Sequence, residues 1–428
     1  MSRAGATAAW ICCQIGAREH YAVARMLHHA GRLERLCTDL WIPPGIPFLT
    51  DRWHPDLRPA RIFAPNLRIL AFELAQKLRG TGEWERIMAR NEKFQELVLQ
   101  NLQKNAPREA TLFSYSYAAA RLFAHAKERG WRTVLGQIDP GPEEERLVQE
   151  EHRRYPQYGS TRQSPPESYW TDWKRETELA DRIVVNSNWS RECLLKEGVP
   201  EGKMKVVPLA YRALSDETRE GKADRLSLSL SGSKPSAENY LNFNLNLKRR
   251  SPPSAISDLP STNEALRVLF LGQVNLRKGV ARLVEAMRML RNEPIELTLA
   301  GPCSVDPAAW ADLPNVRWTG PVPRGATGEC YRQADVFMLP TISDGFALTQ
   351  LEAMAHGLPV IATRRCGEVV THGEDGWILE DAEPATVAHT LKEAMAVKEW
   401  TPMREAARRK AERFRLEEVG KLFLEAAE

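Results

Sequence analysis

The stretch Leu339-Pro340-Thr341-Ile342-Ser343-Asp344-Gly345-Phe346-Ala347-Leu348-Thr349-Gln350-Leu351-Glu352-Ala353-Met354-Ala355-His356-Gly357-Leu358-Pro359-Val360-Ile361-Ala362 decides how the rest of the chain is read. An apolar run, Asp335 to Leu339, ends in a loop of small residues. A helical segment follows over Thr349 to His356, then a second apolar run over Pro359 to Ala362. This is a strand, a helix and a strand. The first turn of such a helix carries unpaired N–H groups and the positive end of the dipole, which suit a phosphate. Asp344 lies in the loop before that turn and Glu352 within the helix, so the two carboxylates can address different parts of one ligand, such as a sugar and a ribose. Read blandly, Asp344 is a helix cap and Glu352 a surface residue.

The same alternation extends outward. Arg267 to Leu271 reads as a strand ending at Gly272, Gly279 to Leu290 as a helix, and Ile295 to Ala300, Val316 to Thr319 and Gly376 to Leu379 as further strands. Between the first strand and its helix stand two adjacent cations, Arg277 and Lys278. In open α/β sheets ligands bind beyond the carboxyl ends of the strands, where this pair could neutralise a diphosphate. Taken alone, the pair is equally well two solvated surface cations.

The first half is similar in style. Trp10 to Ile15, Thr111 to Tyr117, Thr133 to Ile138, Arg182 to Asn186 and Lys205 to Leu209 read as strands, and His20 to His29 as a helix. Strands separated by helices indicate βαβ units and a largely parallel sheet. Residues 213–263 break the pattern: they are rich in Ser, Asn and Pro and read as a polar linker or insertion, with a small edge hairpin as the other reading. No repeat between the halves is visible in the sequence.

Composition narrows the function. At 428 residues, two or three domains are expected. Lys+Arg number 59 and Asp+Glu 56, a net charge of +3 that gives no reason to expect nucleic acid as partner. Mean hydropathy is −0.43, and no apolar run has transmembrane length. The seven cysteines form no Cys-x-x-Cys pair, which argues against a disulfide framework or a zinc ribbon and fits reduced thiols in a cytosol. The apolar stretch near the start is too short for a signal peptide and reads as the first strand. There is no Gly-x-Gly-x-x-Gly, Walker loop or Gly-x-Ser-x-Gly elbow. There is no Asp-x-Asp and no His with metal-ligand spacing, so no metal is expected.

Asp344 to Glu352 with its continuation resembles the E-x7-E motif of retaining glycosyltransferases of family 4, the group 1 glycosyltransferases. The resemblance also covers Gly272 to Gly279, Leu299 to Pro302, Val316 to Pro323 and Gln333 to Pro340. It is weaker over Ala180 to Ser187 and Lys205 to Leu209. It implies an α/β protein of GT-B type, two Rossmann-type domains facing across a cleft. Residues 1–212 would form the acceptor domain, joined by a C-terminal helix 411–428, and 264–410 the nucleotide-sugar domain. The implied activity is metal-independent transfer of a sugar from a nucleotide-sugar donor to an acceptor hydroxyl, with retention of configuration and no cofactor. The implied acceptor is a glycan, a lipid-linked molecule or a small molecule, and the implied location the cytoplasm or the inner face of its membrane.

By the same resemblance, Lys278 and Arg277 would hold the donor diphosphate, and Glu352 the ribose. Asp344 replaces the family's first glutamate, beside the transferred sugar. Backbone N–H groups over Gly345, Phe346, Ala347, Leu348 and Thr349 would contact sugar and phosphate, with Gly272 opening the donor loop. Val322 and Pro323 would lie against the base. Gly16, followed by Arg18 and Glu19, is placed like the acceptor-side loop, with Tyr115 and Asp139 as further candidates. The sequence departs from the family at Gln273, where arginine is common, at Asp344, which is one methylene short, and at Tyr115 and its neighbours, which stand where many members have histidine.

Two other readings stay open: a non-catalytic nucleotide-sugar-binding subunit, suggested by Asp344 and Gln273, and a nucleotide-sugar isomerase on the same fold. Leu67 to Leu78, with Arg68, Lys77 and Arg79 among apolar residues, reads first as an amphipathic helix packed on the core, and second as a membrane-surface helix. The last segment, Arg404 to Glu428, reads as a helix burying Ala407, Ala411, Phe414, Val419 and Leu422, and by the resemblance it crosses back to the first domain.

Overall fold

The computed structural model describes residues 9–43, 52–105, 107–159, 163–211 and 265–428. The segment 213–263 lies outside the described residues. Two parallel sheets dominate. The first has seven strands: β1 (Trp10–Gln14), β2 (Leu33–Thr38), β3 (Ile62–Phe63), β4 (Thr111–Tyr115), β5 (Arg132–Gln137), β6 (Arg182–Val185) and β7 (Met204–Val206). Their spatial order is β3-β2-β1-β4-β5-β6-β7. The second has six: β8 (Leu266–Leu271), β9 (Ile295–Ala300), β10 (Val316–Trp318), β11 (Val336–Leu339), β12 (Val360–Thr363) and β13 (Gly376–Leu379), in the order β10-β9-β8-β11-β12-β13.

Each sheet therefore runs outward one way from its first strand and then turns back on the other side of it. The reversal falls between β1 and β4 in the first sheet and between β8 and β11 in the second. The repeat that the sequence hides is thus present in topology. Ligand crevices form where strand order reverses, because the two flanking connections leave in opposite directions. The strands are buried on both faces, as parallel strands covered by helices must be: all five residues of β1 and all four of β11 are buried.

Several elements depart from the expected pattern. Strand β2, with the polar sequence Leu-Glu-Arg-Leu-Cys-Thr, was not legible as a strand; its buried Arg35 is satisfied by Asn101 Oδ1 at 2.7 Å and the Asn105 carbonyl at 2.9 Å. The helix expected over His20 to His29 starts only at Ala22, because Glu19, His20 and Tyr21 all have φ between 51° and 59°. The helix Asn66–Arg79 packs on the first domain through Ile69 and Gln76, but the face it packs with is not the leucine-rich one, and its leucines turn outward.

The end of the chain crosses between the domains. The helix Thr401–Glu412 buries Ala407 and Ala411 in the core of the second domain. The chain then extends at Arg415, and Tyr211 N–H donates to the Phe414 carbonyl at 3.0 Å. The last helix, Leu416–Ala427, packs on the first sheet. The segment is thus two helices with a break. The break shifts the helical phase, so Leu422 is 46% exposed and Phe423 is buried in its place. Phe423 meets Trp10 at 6.0 Å and Phe113 at 5.7 Å between ring centroids. Phe414, half-buried, touches both cores.

Phe423→Ala should therefore destabilise the first domain by about 3–5 kcal/mol, the cost of a large-to-small change in a packed core. Denaturant unfolding followed by tryptophan fluorescence would read this, since Trp10 is in contact. A change within about 0.5 kcal/mol would show that the last helix is only loosely docked.

Candidate active site

The loops leaving β8 and β11 lie side by side at the reversal of the second sheet. Gly279 makes this possible: a methyl group built on it would stand 1.8 Å from the Pro340 carbonyl oxygen. Asn275 Oδ1 accepts the Lys278 N–H at 3.0 Å and shapes the loop. The two cations then face Asp344. Lys278 Nζ pairs with Asp344 Oδ2, and Arg277 Nη1 stands 3.2 Å from Asp344 Oδ1 and donates to the Ser343 carbonyl, also at 3.2 Å. Although burial acts to raise its pKa, Asp344 is held down at about 2 by Lys278 and Arg277. Asp344 is ionised at any ordinary pH, and its carboxylate is turned onto the cations.

The first domain closes over this loop. A methyl group on Gly345 would stand 2.5 Å from the Ile138 carbonyl oxygen and 2.6 Å from Asn186 Nδ2, so glycine is what lets the two domains meet here. Trp189 Nε1 donates to Ser343 Oγ at 3.0 Å, and Glu368 accepts the N–H groups of Asn188 and Trp189 at 3.1 and 3.3 Å. The Arg365 guanidinium lies 4.9 Å from the Trp189 ring centroid. Farther along, Arg282 makes two bonds, at 2.8 and 2.7 Å, to the buried carboxylate of Glu151.

Glu144 was missed in the sequence. It lies in the first turn of the helix Pro142–Arg154, after β5, and its Oε1 stands 3.7 Å from Arg277 Nη1. Its Oε2 is buried without a hydrogen-bond partner. Burial pushes its pKa up to about 8; Arg277 opposes this, while Asp139 and Asp344 add to it. Nothing in a Pro-Glu-Glu-Glu run marks its second glutamate; only the cross-domain contact does.

In the first domain, Gly16 N–H donates to Asp39 Oδ1 at 2.8 Å. Asp39, also missed in the sequence, is fully buried and takes Arg52 at 2.9 Å and Arg90 at 2.7 Å. Burial opposes ionisation of Asp39, but these two arginines and the Gly16 N–H hold its pKa low. Arg18 lies over the Tyr115 ring at 5.4 Å, and the Tyr115 hydroxyl donates to Glu19 Oε2 at 3.3 Å. Burial raises the pKa of Glu19. The left-handed run Glu19-His20-Tyr21 stores backbone strain beside this cluster. Asp139 accepts the Tyr117 hydroxyl at 2.6 Å and the Gly141 N–H at 2.9 Å, a turn role, yet Arg18 and Arg277 both act on its charge. Burial, the largest influence, raises its pKa.

The structure thus brings Arg277, Lys278, Asp344, Glu144 and Asp139 together. Other candidates stand farther off. Ala347 N–H, one of the expected phosphate donors, is taken by the Cys366 carbonyl at 2.9 Å, while Phe346 is buried and Leu348 and Thr349 open the helix Leu348–Ala355. Glu352, in the second turn of that helix, accepts the Tyr331 hydroxyl at 2.9 Å, and Tyr331 stacks on His356 at 4.9 Å. Gly272 ends β8 with Gln273 exposed beyond it. Val322 and Pro323 follow β10, two strands from β8 at the sheet edge.

Residues 265–396 match the family described as "Glycosyl transferases group 1". A D-inositol 3-phosphate glycosyltransferase of Jonesia denitrificans is 31% identical over 166 residues, 34% of this chain and 39% of that protein. The chain thus spans about two fifths of that relative's length. Among solved structures, sucrose-phosphate synthase from Thermosynechococcus elongatus aligns over 97% of this chain and 98% of that one, at 16% identity and a TM-score of 0.62. Anabaena HepE in complex with UDP aligns over the same shares at 13% identity and a TM-score of 0.58. At these identities the likeness is one of fold, the GT-B arrangement of two Rossmann-type domains.

The raised pKa of Glu144 has a consequence for stability. The folded protein keeps its proton up to about pH 8, whereas the unfolded chain releases it near 4.5. The stabilisation is complete below pH 4.5 and is lost as pH rises through about 8. Glu144→Gln should flatten part of the fall in melting temperature over that window; buried Glu176, also raised to about 8, supplies a further part. An unchanged slope in scanning calorimetry would mean that Glu144 is ionised in the fold.

Proposed function

We propose that this chain, whose second domain is a group 1 glycosyltransferase domain, moves a sugar from a nucleotide-sugar donor to an acceptor hydroxyl with retention of configuration and without a metal. The observation that carries this reading is the pair Arg277 and Lys278, held at the strand-order reversal against the loop that opens the helix Leu348–Ala355.

The chemistry fits those groups. As the glycosidic bond to the diphosphate breaks, negative charge grows on the leaving phosphate and positive charge on the sugar ring. Two fixed cations and a helix N-terminus stabilise the first. A carboxylate held ionised, as Asp344 is, stabilises the second. Glu352, which accepts the Tyr331 hydroxyl, would accept hydrogen bonds from a ribose. The acceptor would enter from the side of Gly16, Arg18, Glu19 and Tyr115. In support of a metal-free reaction, the charge that would face the phosphates comes from the side chains of Arg277 and Lys278.

A binding subunit or an isomerase on the same fold would make different predictions from this one. A panel of nucleotide sugars screened by thermal shift identifies the donor, because a ligand that binds only the folded state raises the melting temperature. With that donor, Lys278→Ala and Glu352→Ala should each weaken binding roughly tenfold or more, the worth of a charge-assisted hydrogen bond. Unaltered donor affinity in both variants would place the site elsewhere. Binding without any transfer to a range of acceptors would favour the binding subunit.

Transfer should also persist in excess chelator, with the product's anomeric configuration, read by NMR, matching that of the donor. Activity lost to chelator and restored by magnesium or manganese would overturn the metal-free reading. An inverted product would overturn retention.

A further inference from the structure

The helix Asn66–Arg79 is built the wrong way round for a helix that serves only to cover a core. One side buries Ile69, in a small cluster with Leu40, Ile42 and Leu97, together with Gln76. The other side carries Leu67, Leu70, Leu74 and Leu78, exposed by 82%, 43%, 59% and 80%. At about 100° per residue these four leucines share a stripe roughly 80° wide. Arg68 and Arg79 fall on one flank of the stripe and Lys77 on the other, all exposed. The helix has a single carboxylate, Glu73, and it is turned inward to Arg90 at 3.2 Å. The outward face therefore presents leucines edged by cations.

We propose that this face seats the protein on a bilayer bearing anionic headgroups, with the leucines in the acyl boundary and Arg68, Lys77 and Arg79 at headgroup level. The charge pattern selects this occupant. A lipid surface offers apolar depth beneath a sheet of negative charge, which matches an apolar stripe flanked by cations. A second copy meeting this face about a twofold axis would bring the same three cations against their own kind.

The placement ties this face to the acceptor side. Asn66 exchanges two 2.9 Å bonds with the backbone of Trp41, just beyond β2. Glu73 pairs with Arg90, Arg90 with Asp39, and Asp39 accepts the N–H of Gly16. The inference itself does not depend on the proposed transfer reaction.

The test is co-sedimentation of the full chain with phosphatidylcholine vesicles and with vesicles containing about one third phosphatidylglycerol, at low and high salt. Binding is expected to the anionic vesicles only, weakening with salt. The triple variant L70Q/L74Q/L78Q should lose it by more than tenfold, and R68A/K77A/R79A by roughly fivefold per cation removed. Both variants should melt with the parent, because the altered side chains are exposed. The proposal fails if the parent does not sediment with anionic vesicles, or if both variants bind as the parent does. It also fails if light scattering shows a dimer that the leucine variant dissolves while vesicle binding stays at the phosphatidylcholine level.

Discussion

The centre of this molecule depends on two adjacent cations, Arg277 and Lys278, which pair with Asp344 across two loops of one sheet, while Arg277 also faces the buried carboxyl of Glu144 across the cleft. Buried charges must be compensated, and removing one partner leaves the other uncompensated at a cost of several kcal/mol. The loop after β8, the loop after β11 and the first turn of the helix Pro142–Arg154 are therefore positioned jointly. The close approach of Gly279 to Pro340 fixes the first two, and that of Gly345 to Ile138 and Asn186 fixes the third. Two missing side chains thus bring these groups within reach of one another.

The fold was legible where the chain speaks locally. Continuous apolar runs such as Val336–Leu339 and Val360–Thr363, each ending in small residues, report doubly covered parallel strands. The cluster of Arg277, Lys278 and Asp344 stands out in the sequence for the same reason: each lies within a few residues of a strand end or helix start. Strand β2 was not, because its polar residues are satisfied from outside the strand, Arg35 by Asn101 and Asn105 of another helix. The break at Arg413 to Arg415 was hidden because a good helical pattern lies on both sides of it. Only the bond from Tyr211 to the Phe414 carbonyl shows that the chain must extend there to reach the first domain.

Glu144, Asp39 and Tyr331 were illegible in a different way. Each is an ordinary residue until tertiary structure supplies its partner: Arg277 from the other domain, Gly16 and two arginines from three separate segments, and Glu352 from the neighbouring helix. The leucines of the helix Asn66–Arg79 show a further limit. Helical periodicity tells that two faces differ, but not which of them is covered. Here the covered face is the one with Ile69 and Gln76, so the richer apolar face is left to solvent.

The substitution of aspartate at position 344 gains a physical meaning from these contacts. A carboxylate one methylene shorter has about 1.5 Å less reach, and at this position it lies against Lys278 and Arg277. The same loop then presents the Ser343 carbonyl to Arg277 and the Ser343 hydroxyl to Trp189 of the first domain. A second carboxyl group faces the cations from the opposite wall, that of Glu144, and burial keeps it protonated near neutral pH. One acid at the site is thus ionised and the other neutral. Their environments explain the difference: Asp344 has two cations at close range, whereas Glu144 has one at longer range and two acidic neighbours. A cleft that holds one carboxyl as an acceptor and the other as a donor can bond to hydroxyl groups in both senses, which a pair of ionised carboxylates cannot do.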